Sequence, residues 1–162
     1  MILIAVGSQK FQFDRLLKKI DYLVEVGVIT EEVFAQTGAS TYVPKKYEYQ
    51  DFLDECEFKE KLEKSDLVIT HGGTGIITNA IKMGKKVIAV PRKAKYGEHV
   101  DDHQQQLINR FVKQNFIWGC MDVEDLEKYI KLSKENKKAP YRSNTENYIR
   151  ELNFVLKEWY NK

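Results

Sequence analysis

Apolar residues along the chain fall into short unbroken runs that alternate with helically spaced ones. Ile2-Leu3-Ile4-Ala5-Val6 is a continuous apolar run closed by Gly7-Ser8, the pattern of a strand buried on both faces of a parallel sheet. Leu16, Leu17, Ile20, Leu23 and Val24 then recur at helical spacing, and Gly27 ends that helix. Val33-Phe34-Ala35-Gln36 predicts a second strand, closed by Thr37-Gly38, and a polar, aromatic stretch runs from Ser40 to about Gln50. Phe58 and Leu62 among charges predict a short helix. Leu67-Val68-Ile69-Thr70 predicts a third strand that runs into His71-Gly72-Gly73-Thr74-Gly75, with a helix from Thr74 to Met83 ending at Gly84. Val87 to Val90 predicts a fourth strand, stopped by Pro91. A charged loop from Arg92 to Val100, a helix from Asp102 to Gln114, a short strand at Phe116-Ile117-Trp118 and a helix from Val123 to Leu132 complete this part. Beyond it, Tyr148, Ile149, Leu152, Val155, Leu156 and Trp159 fall on one helical face between 143 and 160. That stripe suits packing on the chain's own sheet or on a partner. Strand–helix alternation without repeat or linker predicts one α/β domain over residues 1–162. Its sheet is open and mostly parallel, with right-handed crossovers.

A chain of 162 residues is one ordinary domain with room for a core. Its net charge of +2 and lack of a basic stripe give no reason to expect nucleic acid. Cys56 and Cys120 stand far apart, so a reduced, cytoplasmic compartment is expected rather than a disulfide scaffold. No run is long enough to span a bilayer, and the first apolar run lacks a basic flank and the length of a signal segment. Work at a membrane would therefore depend on another protein.

The sharpest local motif is Thr70-His71-Gly72-Gly73-Thr74-Gly75, between a strand and a helix. Glycines admit a ligand close to the backbone, and the helix start offers free N–H groups and a positive dipole end, so the turn suits phosphate. A tight turn with no ligand is the bland alternative. The dinucleotide fingerprint fails because Thr78 stands where its last glycine should be and the next strand ends in Pro91-Arg92 instead of an acid. The P-loop and the Gly-x-Ser-x-Gly elbow are absent as well. Gly7-Ser8-Gln9, Gln36-Thr37-Gly38 and the segment from Pro91 also follow strand ends, so four polar loops should converge on one crevice. In Tyr96-Gly97-Glu98-His99-Val100-Asp101-Asp102-His103-Gln104-Gln105-Gln106, a metal reading would use His99, His103 and Asp102, but the spacing matches no named metal signature. Hydrogen bonding of vicinal sugar hydroxyls suits the acids and glutamines better. An Asp helix cap with solvated glutamines is the plain alternative.

Taken together, Gly7-Ser8-Gln9, Gln36-Thr37-Gly38, Ser65-Asp66 through Gly75, and Pro91-Arg92 with Tyr96 through Gln104 resemble the glycosyltransferase family 28 C-terminal domain over residues 1 to about 135. They resemble most the PssE-like subunits of capsule and exopolysaccharide synthesis. Those are similar to the catalytic subunit of the eukaryotic two-subunit UDP-GlcNAc transferase and, more distantly, to MurG. The resemblance implies the C-terminal, donor half of a GT-B enzyme with a Rossmann-like fold. It further implies a UDP-sugar donor, inversion at the anomeric carbon, no metal or other cofactor, and a lipid-pyrophosphate-linked acceptor. By matching position it implies Ser8, His71, Gly72, Gly73 and Thr74 at the diphosphate, Asn79 at the ribose where the family often has Glu, and Asp102, Gln104 and Gln105 at the donor sugar. Gln104→Ala is then expected to lower turnover and to spare UDP affinity. Uracil is expected near Phe52 to Phe58. Arg92, with Lys95, can offset charge on leaving UDP or can be a solvated face. The acceptor site and general base are expected on a membrane-anchored partner subunit that holds this chain at the inner face of the membrane. A non-catalytic, UDP-sugar-binding enhancer subunit is the alternative.

Overall fold

The computed structural model describes residues 1–142; the amphipathic segment 143–160 lies outside the described residues. Six strands, β1 (Ile2–Ala5), β2 (Val33–Gln36), β3 (Glu48–Gln50), β4 (Leu67–Thr70), β5 (Lys86–Ala89) and β6 (Trp118–Gly119), form one sheet in the order β3-β2-β1-β4-β5-β6. Every pairing is parallel. Among the described residues there are five α-helices: α1 (Asp14–Glu25), α2 (Glu55–Lys64), α3 (Thr74–Lys82) and α4 (His103–Lys113) lie in the connections between strands, α5 (Leu126–Glu135) follows β6, and together they cover both faces.

Unbroken apolar runs are what two covered faces demand, because successive side chains point to opposite sides. In β1 and β4, Ile4 and Ile69 enter one core with Leu16, Leu17 and Ile20 of α1 and Ile130 of α5. Leu3 and Val68, one residue away, enter the other with Ile77 and Ala80 of α3 and Ile108 of α4. Each fully buried leucine or isoleucine contributes roughly 2 kcal/mol. Gly27 (φ +75°) and Gly84 (φ +70°) end α1 and α3, where a left-handed residue closes the last turn.

The structure adds β3, which the apolar pattern does not predict. All three of its residues are exposed. Polar anchors bring it to the sheet. Asp21, buried on α1, accepts hydrogen bonds from the Tyr42 hydroxyl (2.6 Å) and from the amides of Lys45 (2.8 Å) and Lys46 (2.9 Å). Beyond the strand, Thr37 Oγ1 donates to Asp51 Oδ1 at 2.8 Å.

From β1 the chain builds outward through β2 and β3 on one side and through β4, β5 and β6 on the other. The loops after β1 and β4 therefore diverge at their carboxyl ends and open a crevice between them, the usual ligand position in such sheets.

Candidate functional site

Gly7 and Gly73 enclose the ring of His71 at the crevice. A Cβ on Gly7 would stand 2.6 Å from His71 Cε1, and one on Gly73 only 2.4 Å from Nε2. On Gly72 it would stand 2.6 Å from the Cβ of Gln104. The two turns can close over one imidazole only because they lack side chains. A valine at Gly73 would therefore collide with His71 before it met any ligand.

His71 is almost fully buried. Desolvation, with smaller contributions from the positive charge of Arg92 and from His99, pushes its pKa down to about 4. The ring is therefore neutral at pH 7, too weak a base to take a hydroxyl proton efficiently. Because the folded value lies below the free value of 6.5, the unfolded chain takes up the proton first as pH falls. The stabilisation is complete above pH 6.5 and is lost progressively towards pH 4, by up to roughly 3 kcal/mol. Urea titrations across that window are expected to show the decline, and His71→Asn should flatten it. An equal slope in wild type and variant would contradict the assignment.

Arg92 departs most from the sequence reading. It is 0% exposed, so the solvated-face reading is corrected. Its guanidinium donates through Nη2 to Val6 O (2.6 Å) and Phe11 O (2.9 Å), the two ends of the loop that carries Ser8. Among the described residues its Nε and Nη1, both buried, find no partner. Burial lowers its pKa to about 10, partly opposed by Glu98, which leaves it charged. Glu98, also 0% exposed, is spent on Arg15 through two 2.9 Å bonds and on the amide of Lys93 at 2.9 Å. One excess positive charge is thus sealed beneath the glycine turns. From there it acts through its field and through the loop it holds, without direct contact with a ligand.

Gln104 completes the arrangement. Its Oε1 accepts from the amide of Gly72 (3.3 Å) and from that of Arg92 (3.1 Å). One side chain from α4 ties the loop after β4 to the loop after β5, and Arg92 ties the latter to the loop after β1. This clasp of three loops was not foreseen from the sequence. Its oxygen occupied, Gln104 has only its amide nitrogen to offer a sugar.

The remaining residues line the same sheet end. Ser8 is exposed after β1, and Thr74 is exposed at the start of α3. Gly73 caps α3 without a side chain, which leaves first-turn N–H groups and the positive helix end for an anion. Asn79 is exposed on α3, about 8 Å further along its axis by helical rise. Gln105 is half-buried on α4. Asp102 stands at the cap position of α4 but makes no cap bond; its carboxylate instead accepts from the amide of Ala94 at 2.9 Å. The metal reading is corrected in one member, since Asp101, not Asp102, clusters with His99 and His103. Phe52, half-exposed, follows β3, two strands from β1, or about 10 Å across the sheet. A separate groove of about 750 Å³, lined by Arg15, Lys18, Tyr22, Tyr96 and Glu124 among others, does not include the glycine turns.

This strand order, with a glycine-rich strand-to-helix turn at the point where it reverses, defines a Rossmann-type α/β domain of the kind found in the C-terminal halves of GT-B glycosyltransferases. The chain belongs to the glycosyltransferase family 28 C-terminal domain, whose family model matches residues 1–157. It is similar to the UDP-N-acetylglucosamine transferase subunit ALG13 of Saccharomyces cerevisiae, 33% identical over 78 residues, which cover 48% of this chain and 37% of the relative. Against the subunit of that name from Kluyveromyces lactis it is 34% identical over 105 residues, 60% of this chain and 51% of the relative. The chain thus spans about half or less of the length of these relatives. Among solved structures, MurG of Acinetobacter baumannii superposes with a TM-score of 0.57 at 19% identity, over 83% of this chain and 41% of that one. An NMR structure of ALG13 gives 0.56 at 18% identity, over 93% of each chain. Both likenesses concern the fold alone.

Proposed function

We propose that this chain is the donor-binding catalytic subunit of a two-subunit, inverting glycosyltransferase. It would transfer a hexose from a UDP-sugar to a lipid-pyrophosphate-linked saccharide in capsule or exopolysaccharide synthesis. The observation that carries the reading is the crevice between β1 and β4. There two glycine turns, the uncapped start of α3 and the sealed charge of Arg92 converge, in a domain of family 28. Phosphates of the donor sit on the first turn of α3 near Thr74 and Ser8. Asn79 takes the ribose, and Asp102, Gln105 and the Gln104 amide nitrogen take sugar hydroxyls. Positive charge from Arg92 and the helix end favours the leaving diphosphate, the task a metal performs elsewhere, so no metal is required.

A neutral His71 with a pKa near 4 supports a general base supplied from elsewhere. The partner is a membrane-anchored, acceptor-binding subunit that brings this chain to the cytoplasmic face of the membrane. The ALG13 relatives are each a subunit of a UDP-N-acetylglucosamine transferase, which supports a partner. Among the described residues no helix is long and apolar enough to cross a membrane.

The same weak His71 base also favours a second reading, a non-catalytic enhancer that binds the UDP-sugar and stabilises its partner. Reconstitution tests both. Chain, UDP-sugar and lipid-linked acceptor alone are expected to give no product, and addition of the partner should give transfer. Robust transfer by the chain alone would overturn the two-subunit reading. Within the assembled complex, Gln105→Ala should reduce turnover while the partner stays bound; undiminished turnover would favour the enhancer.

A further inference from the structure

His99, Asp101 and His103 follow the buried Glu98 on the segment that enters α4. One ligand atom from each lies within 4.8 Å of the other two. Asp101 is the hub. Its Oδ1 is 3.4 Å from His99 Nδ1 and in closer contact with His103 Nδ1. The two imidazoles meet edge to face, with centroids 4.9 Å apart, and His99 packs against the ring of Phe11 at 4.8 Å. The His99 side chain is only 8% exposed, against 56% for Asp101 and 47% for His103. One ligand is thus held by packing while the other two face solvent.

A helix start explains part of this arrangement. Asp101 Oδ1 accepts from the His103 amide at 3.1 Å, as a capping carboxylate would. Capping does not require a second imidazole on the same carboxylate. Two imidazoles and one carboxylate form a nitrogen-rich donor set suited to zinc and its borderline neighbours, whereas magnesium and calcium take oxygen.

We propose that His99, Asp101 and His103 form a binding site for a divalent transition-metal ion of the zinc class, with water completing the coordination. The ion fastens the loop at residue 99 to the first residue of α4, the helix that carries Gln104. It plays no part in holding the donor, and the site stands whether or not the crevice binds UDP.

The test uses the full chain, free of any affinity tag and stripped with EDTA. It is titrated with zinc chloride by calorimetry and with cobalt chloride by visible absorption at pH 7.5. The expected result is one ion per chain at micromolar affinity or tighter, with cobalt bands of a low-coordinate nitrogen–oxygen site. His99→Ala and His103→Ala should each abolish the one-to-one binding, and so should Asp101→Asn, which preserves side-chain size. Asp102→Asn should keep it. Circular dichroism confirms that each variant is folded. No saturable uptake, or uptake unchanged in the folded variants, would overturn the site. UDP binding by the same sample in EDTA reports on the crevice separately.

Discussion

Arg92→Met is expected to weaken UDP binding by roughly thirtyfold while lowering stability by only about 2 kcal/mol. Two effects oppose each other in the fold. The change strands Val6 O and Phe11 O, which Arg92 now satisfies at 2.6 and 2.9 Å, and each buried group left without a partner costs about 1–3 kcal/mol. It also removes a desolvated cation whose Nε and Nη1 find no partner among the described residues, and that part is a gain. In binding the effects add. The Ser8 loop loses its anchor at both ends, and the crevice loses its sealed positive charge. Removal of one nearby charge from an anion site is worth roughly 2 kcal/mol at an effective dielectric near 20. Arg92→Lys should restore part of the affinity, because an ammonium keeps the charge but cannot reach both carbonyls with the same geometry. Calorimetry with UDP on the three proteins checks this. Affinity within twofold of wild type for Arg92→Met would show that neither charge nor anchor matters.

Gln104→Ala is expected to reduce affinity for UDP and for the UDP-sugar together, by roughly tenfold, with a stability loss of about 2 kcal/mol. This reverses the expectation drawn from the sequence, where the side chain was assigned to the sugar alone. The reason is its oxygen. It accepts from Gly72 N and Arg92 N, and alanine leaves both buried amides unpaired and both loops free to separate. Measuring the two dissociation constants side by side decides the matter. A loss confined to the UDP-sugar, with UDP affinity intact, would return Gln104 to the role of a sugar ligand only.

The sequence reading reached the parallel α/β sheet because β1, β2, β4 and β5 are buried on both faces and therefore carry continuous apolar runs. It missed β3 because Glu48, Tyr49 and Gln50 are exposed and the strand is docked by Asp21 and Asp51, whose partners are distant in sequence. It placed the last strand at Phe116 to Trp118, two residues before the observed start of β6. Glycine turns were legible as motifs, but the clasp was not. Arg92 sits in the basic run Arg92-Lys93-Ala94-Lys95, and nothing local distinguishes a sealed arginine from a solvated one. Its partners Val6 and Phe11 lie more than eighty positions away. Gln104 likewise reads as one of three successive glutamines until the fold sets it against Gly72. What pattern reveals is burial by element; which polar side chain is spent inside the protein depends on tertiary neighbours.

In the proposed reaction the crevice between β1 and β4 holds a nucleoside diphosphate without metal. Backbone amide NMR of the chain titrated with UDP in EDTA tests it most directly. Saturable shifts are expected at Gly7, Ser8, Gly72, Gly73, Thr74, Gly75 and Ile76, with the amides of α5 unmoved. Absence of binding until magnesium or manganese is added, or shifts centred away from the two glycine turns, would contradict it.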